Sequence, residues 1–198
     1  MPRHLKIASL ILLALAVLLA LTHWPKTVDD QIKNVALLPF SFDDVSRVRL
    51  NHFVDGYEFQ RAGGGSWQIR QIKNELAKKI EAQDGKSPVL ESDCQKADAL
   101  TVTRALSPLF SIDLDEAVAT GKSQEKLFEI NEYSLSFECF DKAGNSLKKI
   151  KVGKSGPDIF SSFIMINGEK GIYLINQNLQ ALLWHDFNDW LPKSGAEK

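Results

Sequence analysis

Apolar residues are distributed along this chain in three patterns, and each predicts a different kind of element. From Ile7 to Leu21 every residue is apolar except Ser9, with Arg3 and Lys6 before the run and Thr22-His23-Trp24-Pro25 after it. As a helix, Ile7 to Trp24 would rise about 27 Å, close to the hydrocarbon thickness of a bilayer. Alternation of period two then takes over. Val45–Asn51 sets Val48 and Leu50 against Arg47 and Arg49, Tyr57 and Phe59 share a face in 57–61, and Trp67 and Ile69 do so in 67–72. Asp55-Gly56 and Gly63-Gly64-Gly65-Ser66 read as the intervening turns, so this stretch is an antiparallel meander.

The third pattern is helical. Leu76, Ala77 and Ile80 predict a helix over 74–83, closed by Asp84-Gly85. Ser92-Asp93-Cys94-Gln95 has the spacing of a capping box and predicts a helix from there to about Leu106, stopped by Pro108. A short helical stretch follows at 124–130. Strands then return over 133–140 (Leu135, Phe137 and Cys139 on one face) and 146–152, around a turn at Lys142-Ala143-Gly144-Asn145. Strands at 159–166 and 172–175 flank a second hairpin turn, 167–171. Leu179, Leu183, Phe187 and Trp190, widened by Trp184 and Leu191, predict an amphipathic helix over 179–191, ending at Pro192.

Two antiparallel β-meanders with packed helices, preceded by one N-terminal transmembrane helix, make an α+β fold and not a series of βαβ units. The corresponding division is a membrane anchor (1–24), a stalk (25–39) that contains the apolar patch Val35–Leu38, an extracytoplasmic domain (40–192) and a disordered tail (193–198). The N-terminal pattern fits an uncleaved anchor or a cleaved secretory signal. Ala20 and Thr22 are a poor cleavage pair, and no Cys is present there to take a lipid. With Arg3 and Lys6 held inside, either reading exports everything after Pro25, to the periplasmic side of the cytoplasmic (inner) membrane. The membrane contact is then residues 7–24.

Charge narrows the function. The chain carries a net −1, and residues 1–24 hold two of its 24 basic residues and no acid. The rest is mildly acidic and lacks the basic face that nucleic acid requires. Cys94 and Cys139, the only cysteines, make neither a zinc nor a CxxC site, but an oxidising compartment allows them to bridge if the helix packs on the second meander. Of the four histidines only His185 has company. His185 and Asp189 are one helical turn apart and could both reach one metal ion, but Trp184, Phe187 and Leu191 supply the buried stripe, no further ligand is in sight, and a solvated helix face is the better account of the pair. Asp113-Leu114-Asp115-Glu116 lacks the glycine and closing Glu of a calcium loop. The Gly63–Gly65 run has strands on both sides and so is no phosphate cradle. No serine sits in GxSxG. The residues nominate no catalytic group, metal ligand or cofactor.

The order of these signals resembles the bacterial family of the domain of unknown function 4340. The pieces that carry the likeness are Val45-Ser46-Arg47-Val48, Gly65-Ser66-Trp67-Gln68-Ile69, Ala97-Asp98, Ile150-Lys151-Val152-Gly153 and Ile172-Tyr173-Leu174, within about 40–192. In one departure, the Gly-Leu pair usual before the second sheet is replaced by Phe128-Glu129-Ile130-Asn131. The resemblance implies an envelope protein with no assigned reaction, associated with components of ABC-type exporters. The expectation is therefore a non-catalytic interaction module that binds another envelope protein. The alternatives are a glycan- or lipid-binding module using exposed aromatics such as Trp67 or Tyr57 and, third, an envelope hydrolase.

Overall fold

The computed structural model describes residues 35–193, apart from 54 and 90. The expected anchor, the polar part of the stalk and the tail after 193 lie outside the described residues. Among the described residues no helix is long and apolar enough to cross a membrane. The fold is α+β, with every strand pairing antiparallel.

The strands of the first meander are β2 (Arg47–Asn51), β3 (Asp55–Arg61) and β4 (Trp67–Lys73). Those of the second are β8 (Ser136–Phe140), β9 (Ser146–Ser155), β10 (Ser162–Ile166) and β11 (Gly171–Ile175). The two do not form separate layers. β2 pairs with β8 in register (Val48 with Cys139, Leu50 with Phe137), fusing them into one nine-stranded sheet, with β5 (Gln95–Lys96) and β7 (Ala119–Thr120) as its edges. Two-residue edge strands leave little backbone for another chain to extend. β1 (Val35–Ala36) and β6 (Asp113–Leu114) pair separately, so the acidic 113–116 stretch begins as a strand. Leu37 and Leu38 are buried in the core, and the folded body therefore includes the apolar patch at the end of the stalk.

Alternation puts Val48, Leu50, Phe59, Ile69, Phe137, Ile150 and Ile164 on one face of the sheet. The helices α2 (Ala99–Leu106) and α4 (Leu179–Leu183) and a final 3-10 turn (Phe187–Trp190) contribute Val102, Leu106, Leu179, Leu183 and Trp190 to the same core, and the helical stretch expected at 124–130 is the single turn α3 (Lys122–Glu125). The helix expected over 74–83 is α1 (Glu75–Asp84), with Asn74 accepting from the Ala77 N–H at its start and Gly85 left-handed at its end.

Five expectations need correction. The strand expected over 159–166 begins only at Ser162, because the Gly156 N–H donates to the Ser161 carbonyl and closes a loop over 156–161. Asp55-Gly56 is not the turn. The chain reverses over His52–Asp55, where the His52 N–H donates to the Asp55 carbonyl, and Gly56 lies in β3 opposite Asn51 and Ile72. A Cβ there would sit 3.1 Å from both Ile72 Cγ1 and the Leu50 carbonyl oxygen, so glycine answers a close approach and not a turn. The helix expected from Ser92 begins at Asp98, whose carboxylate accepts from the Thr101 N–H. Ser92 Oγ instead accepts from the Gln71 N–H on β4, and Gln95–Lys96 adds β5 to the sheet. The C-terminal helix stops at Leu183, because Asp186 opens a new turn in which Asp189 accepts from the Asp186 N–H. Trp184 is thereby turned out of the apolar stripe and is 56% exposed. Finally, Cys94 and Cys139 are both free thiols. Cys94 precedes edge strand β5 and Cys139 lies in β8, with β4, β3 and β2 between, far beyond the roughly 7 Å that a disulfide spans between Cα atoms.

Candidate binding site

The face of the sheet opposite the core carries charge in register. Arg70, Glu58, Arg49, Glu138 and Lys149 are successive cross-strand partners on β4, β3, β2, β8 and β9, so signs alternate across five strands. Opposite charges directly across a ladder attract, which selects this register. Glu58, 4% exposed, accepts from Arg49 at 2.9 Å and from Arg70 Nε at 3.0 Å, with Arg47 at 3.8 Å. Burial pushes its pKa up, but the Arg49 and Arg70 hydrogen bonds outweigh that and hold the carboxyl below its ordinary value. The groove over this face, about 310 Å³, is walled by α1 and by the 131–134 turn, which Lys79 and Glu132 join at 2.9 Å. Most of its charges are paired with one another, Arg49 and Arg70 with Glu58, Lys149 with Glu138 and Lys78 with Glu75.

A larger cleft, about 720 Å³, opens beside it at the end of the sheet where β8 begins and β9 ends. Three aromatics from distant parts of the chain form its rim. Phe53 comes from the β2–β3 turn, Tyr133 from the turn before β8, and Trp184 from the break after α4; they are 57%, 37% and 56% exposed. Each is braced from behind. Asn74 donates to the carbonyls of His52 and Phe53 at 2.6 and 3.0 Å, which holds the Phe53 turn. The Tyr133 N–H donates to Asn131 Oδ1 at 2.7 Å, and Ser134 Oγ donates to the Glu129 carbonyl. Trp184 stacks on buried His52 at 5.3 Å. Gly153, at the cleft floor, cannot carry a side chain, because a Cβ would collide with the Phe128 carbonyl oxygen and with Ile130.

Glu129, on the cleft wall, has φ 57°, a left-handed backbone that favours glycine and is uncommon for Glu. It lies in the Phe128-Glu129-Ile130-Asn131 segment that precedes the second meander. Strain of this kind persists only where the surroundings over-determine it, and it concentrates at binding sites.

The aromatics nominated from sequence are not the exposed ones: Trp67 and Tyr57 are 1% and 2% exposed and belong to the core. His185 lies edge-on to Trp190 at 4.9 Å, and Asp189 caps the final turn. Among the described residues no three His, Cys, Asp or Glu side chains converge as metal ligands would. Burial pushes the Cys139 thiol up to about 12. Tyr57 donates to Asp55 at 2.9 Å, and burial, then Asp55, raises its pKa.

His52 gives the cleft a pH-sensitive support. Burial lowers its pKa below the ordinary value, against the opposing pull of Asp55, whose Oδ1 is 3.8 Å from Nδ1. With the folded-state pKa depressed, the unfolded chain binds more protons below about pH 6.5, and stability falls with pH from there until the folded imidazole also titrates. Urea unfolding at pH 7.5 and 5.5 should show this loss, and His52→Phe, which keeps a ring between Tyr57 and Trp184, should show less of it.

No curated protein and no solved structure matches the chain. A family model does, over residues 88–196. The first meander lies outside the matched stretch, so Val45–Val48 and Gly65–Ile69 are not part of the match. Within it the residues that carried the resemblance are supports: Asp98 caps α2, Ala97 donates its N–H to the Trp67 carbonyl, Gly153 admits the Phe128 backbone, and Ile172 is buried. The match spans more than half of the chain, which belongs to the family described as domain of unknown function (DUF4340).

Proposed function

We propose that the chain is a single-pass, membrane-anchored extracytoplasmic interaction module that holds a segment of another envelope protein in the aromatic cleft. The convergence of Phe53, Tyr133 and Trp184 on one braced, open cleft carries this reading. Exposed aromatics in a concavity supply contact area at small entropic cost and are the usual anchors of binding surfaces. On this reading the role is binding, and Ser134 beside Tyr133 serves the rim by holding its turn. The apolar run 7–21 behind Arg3 and Lys6 supports a tether in the inner membrane with the domain on the periplasmic side. The family likeness supports an accessory place in a transport or assembly complex, of the ABC-exporter kind.

The test is gentle solubilisation from the native membrane and quantitative recovery of bound proteins. Tyr133→Ala/Trp184→Ala should lose the partner by at least tenfold, while the thermal midpoint moves little because neither ring belongs to the core. Undiminished recovery would refute the cleft as the docking site. The second reading, a glycan or lipid ligand, draws on the polar rim of the same cleft, where Glu125, Lys126 and Gln180 sit beside the aromatics. It would be favoured by unchanged protein recovery together with quenching of Trp184 fluorescence by oligosaccharides or lipids.

A further inference from the structure

The β9–β10 connection, 156–161, ends in two consecutive large apolar residues, Ile159 and Phe160, exposed by 73% and 70%. Apolar side chains on a loose loop can fold back onto the surface; this loop is built so that they do not. The Gly156 N–H donates to the Ser161 carbonyl at 2.9 Å and closes the base of the loop. The Phe160 N–H donates to Asp158 Oδ1 at 2.9 Å. Asn178 donates through Nδ2 to the Ile159 carbonyl at 2.6 Å while its Oδ1 accepts from the Ala181 N–H, so one side chain ties the loop tip to the start of α4. Ser161 and Ser162 below the tip are buried, and Ser162 Oγ accepts from the Leu179 N–H. Gly156 has no room for a Cβ, which would collide with Ser161 Oγ. The tip is a braced apolar prong.

Its size argues for its occupant. Two side chains offer at most a few hundred Å², against about 800 Å² per partner in a stable protein interface. They are enough for shallow insertion at a bilayer surface, where binding scales with apolar area buried and a tether supplies a high effective concentration. On the proposed topology the domain is so tethered, because residues 25–34 reach no further than about 35 Å.

We infer that Ile159 and Phe160 insert into the headgroup region of the membrane that anchors the chain, giving the domain a second point of lipid contact. This inference rests on the tethered topology proposed above. The loop supplies one carboxylate, Asp158, and no cation, so the contact is apolar and insensitive to salt. It also orients the cleft. Gly153 at the cleft floor is three residues from Gly156, so cleft and prong lie at the same end of β9, and the cleft faces a membrane-proximal partner.

The test uses the full chain reconstituted in phosphatidylcholine vesicles, with a nitrobenzoxadiazole label on Phe160→Cys in a Cys94→Ser background. Cys139 is buried and does not compete for the label. The control is the same label on Ala143→Cys in the β8–β9 turn, at the opposite end of β9 and about 30 Å away. Lipids spin-labelled near the headgroup should quench the label at 160 at least twofold, in low and high salt alike, and leave the control unchanged. Vesicle-bound protein whose two labels are quenched equally little overturns the inference and leaves the anchor standing. Blue-shifted but unquenched emission at 160 means that a protein surface, a second copy included, covers the prong, and also overturns it. Protein that fails to float with the vesicles overturns the tethered topology and the inference together.

Discussion

Trp190→Ala is expected to lower the unfolding free energy by about 3–5 kcal/mol, a large part of the total for a domain of this size. Trp190 is fully buried, packs edge-on to Phe59 at 4.9 Å and to His185 at the same distance, and closes the core over β3. Its carbonyl accepts from the Asp98 N–H at 2.8 Å, so the cavity would open beside the start of α2. Its indole N–H is buried with no partner among the described residues, a standing cost that Trp190→Phe would remove while forfeiting less packing. The Phe variant should therefore fall well short of the Ala loss in urea unfolding. Phe187→Ala should cost less than Trp190→Ala, since Phe187 is only partly buried. A loss under about 1 kcal/mol at Trp190 would show that the final turn is not part of the core.

The second large effect is expected at Glu58. Removing one member of a buried ion cluster leaves the others uncompensated, which costs about 3–5 kcal/mol when all are buried. Here Arg47, Arg49 and Arg70 are 30%, 38% and 46% exposed and water solvates them in part, so Glu58→Ala should cost toward 2–3 kcal/mol. The acid limb carries the signature. A carboxyl held below its ordinary pKa contributes stability that is present above the unfolded value, about 4.3, and is lost as pH falls through the folded value. The variant should lack that limb below about pH 4.3 but keep the His52 limb below about 6.5. Identical acid profiles for wild type and variant would mean that Glu58 is not held by the arginines.

Most of the individual elements were legible because their signals are local. Val48 and Leu50, Phe137 and Cys139, and Trp67 and Ile69 alternate as half-buried strands must, and Asn74 with Gly85 brackets α1 with a cap at each end. Errors arose where a long-range partner took over a local signal. Ser92 and Gln95 have capping-box spacing, but the Gln71 N–H claims the serine and β4 claims the glutamine backbone. The apolar stripe of 179–191 keeps helical period through the break, and only the Asp186–Asp189 pair interrupts it. Fusion of the meanders through β2 and β8 joins residues about 90 apart, which no short window contains.

The cleft was illegible for the same reason. Phe53, Tyr133 and Trp184 each occupy a turn and share no local motif, while the aromatics that stood out, Trp67 and Tyr57, lie on core-facing strand positions. No local motif marks Glu129 either, whose left-handed backbone glycine would adopt freely.

The central claim, an anchored domain exported by its N-terminal segment, is tested most directly by topology. A phosphatase active only outside the cytoplasm, fused after Lys198, should be active on the proposed topology, in which Arg3 and Lys6 keep the N-terminus inside. An inactive phosphatase, with a cytoplasmic reporter active at the same position, would contradict the account.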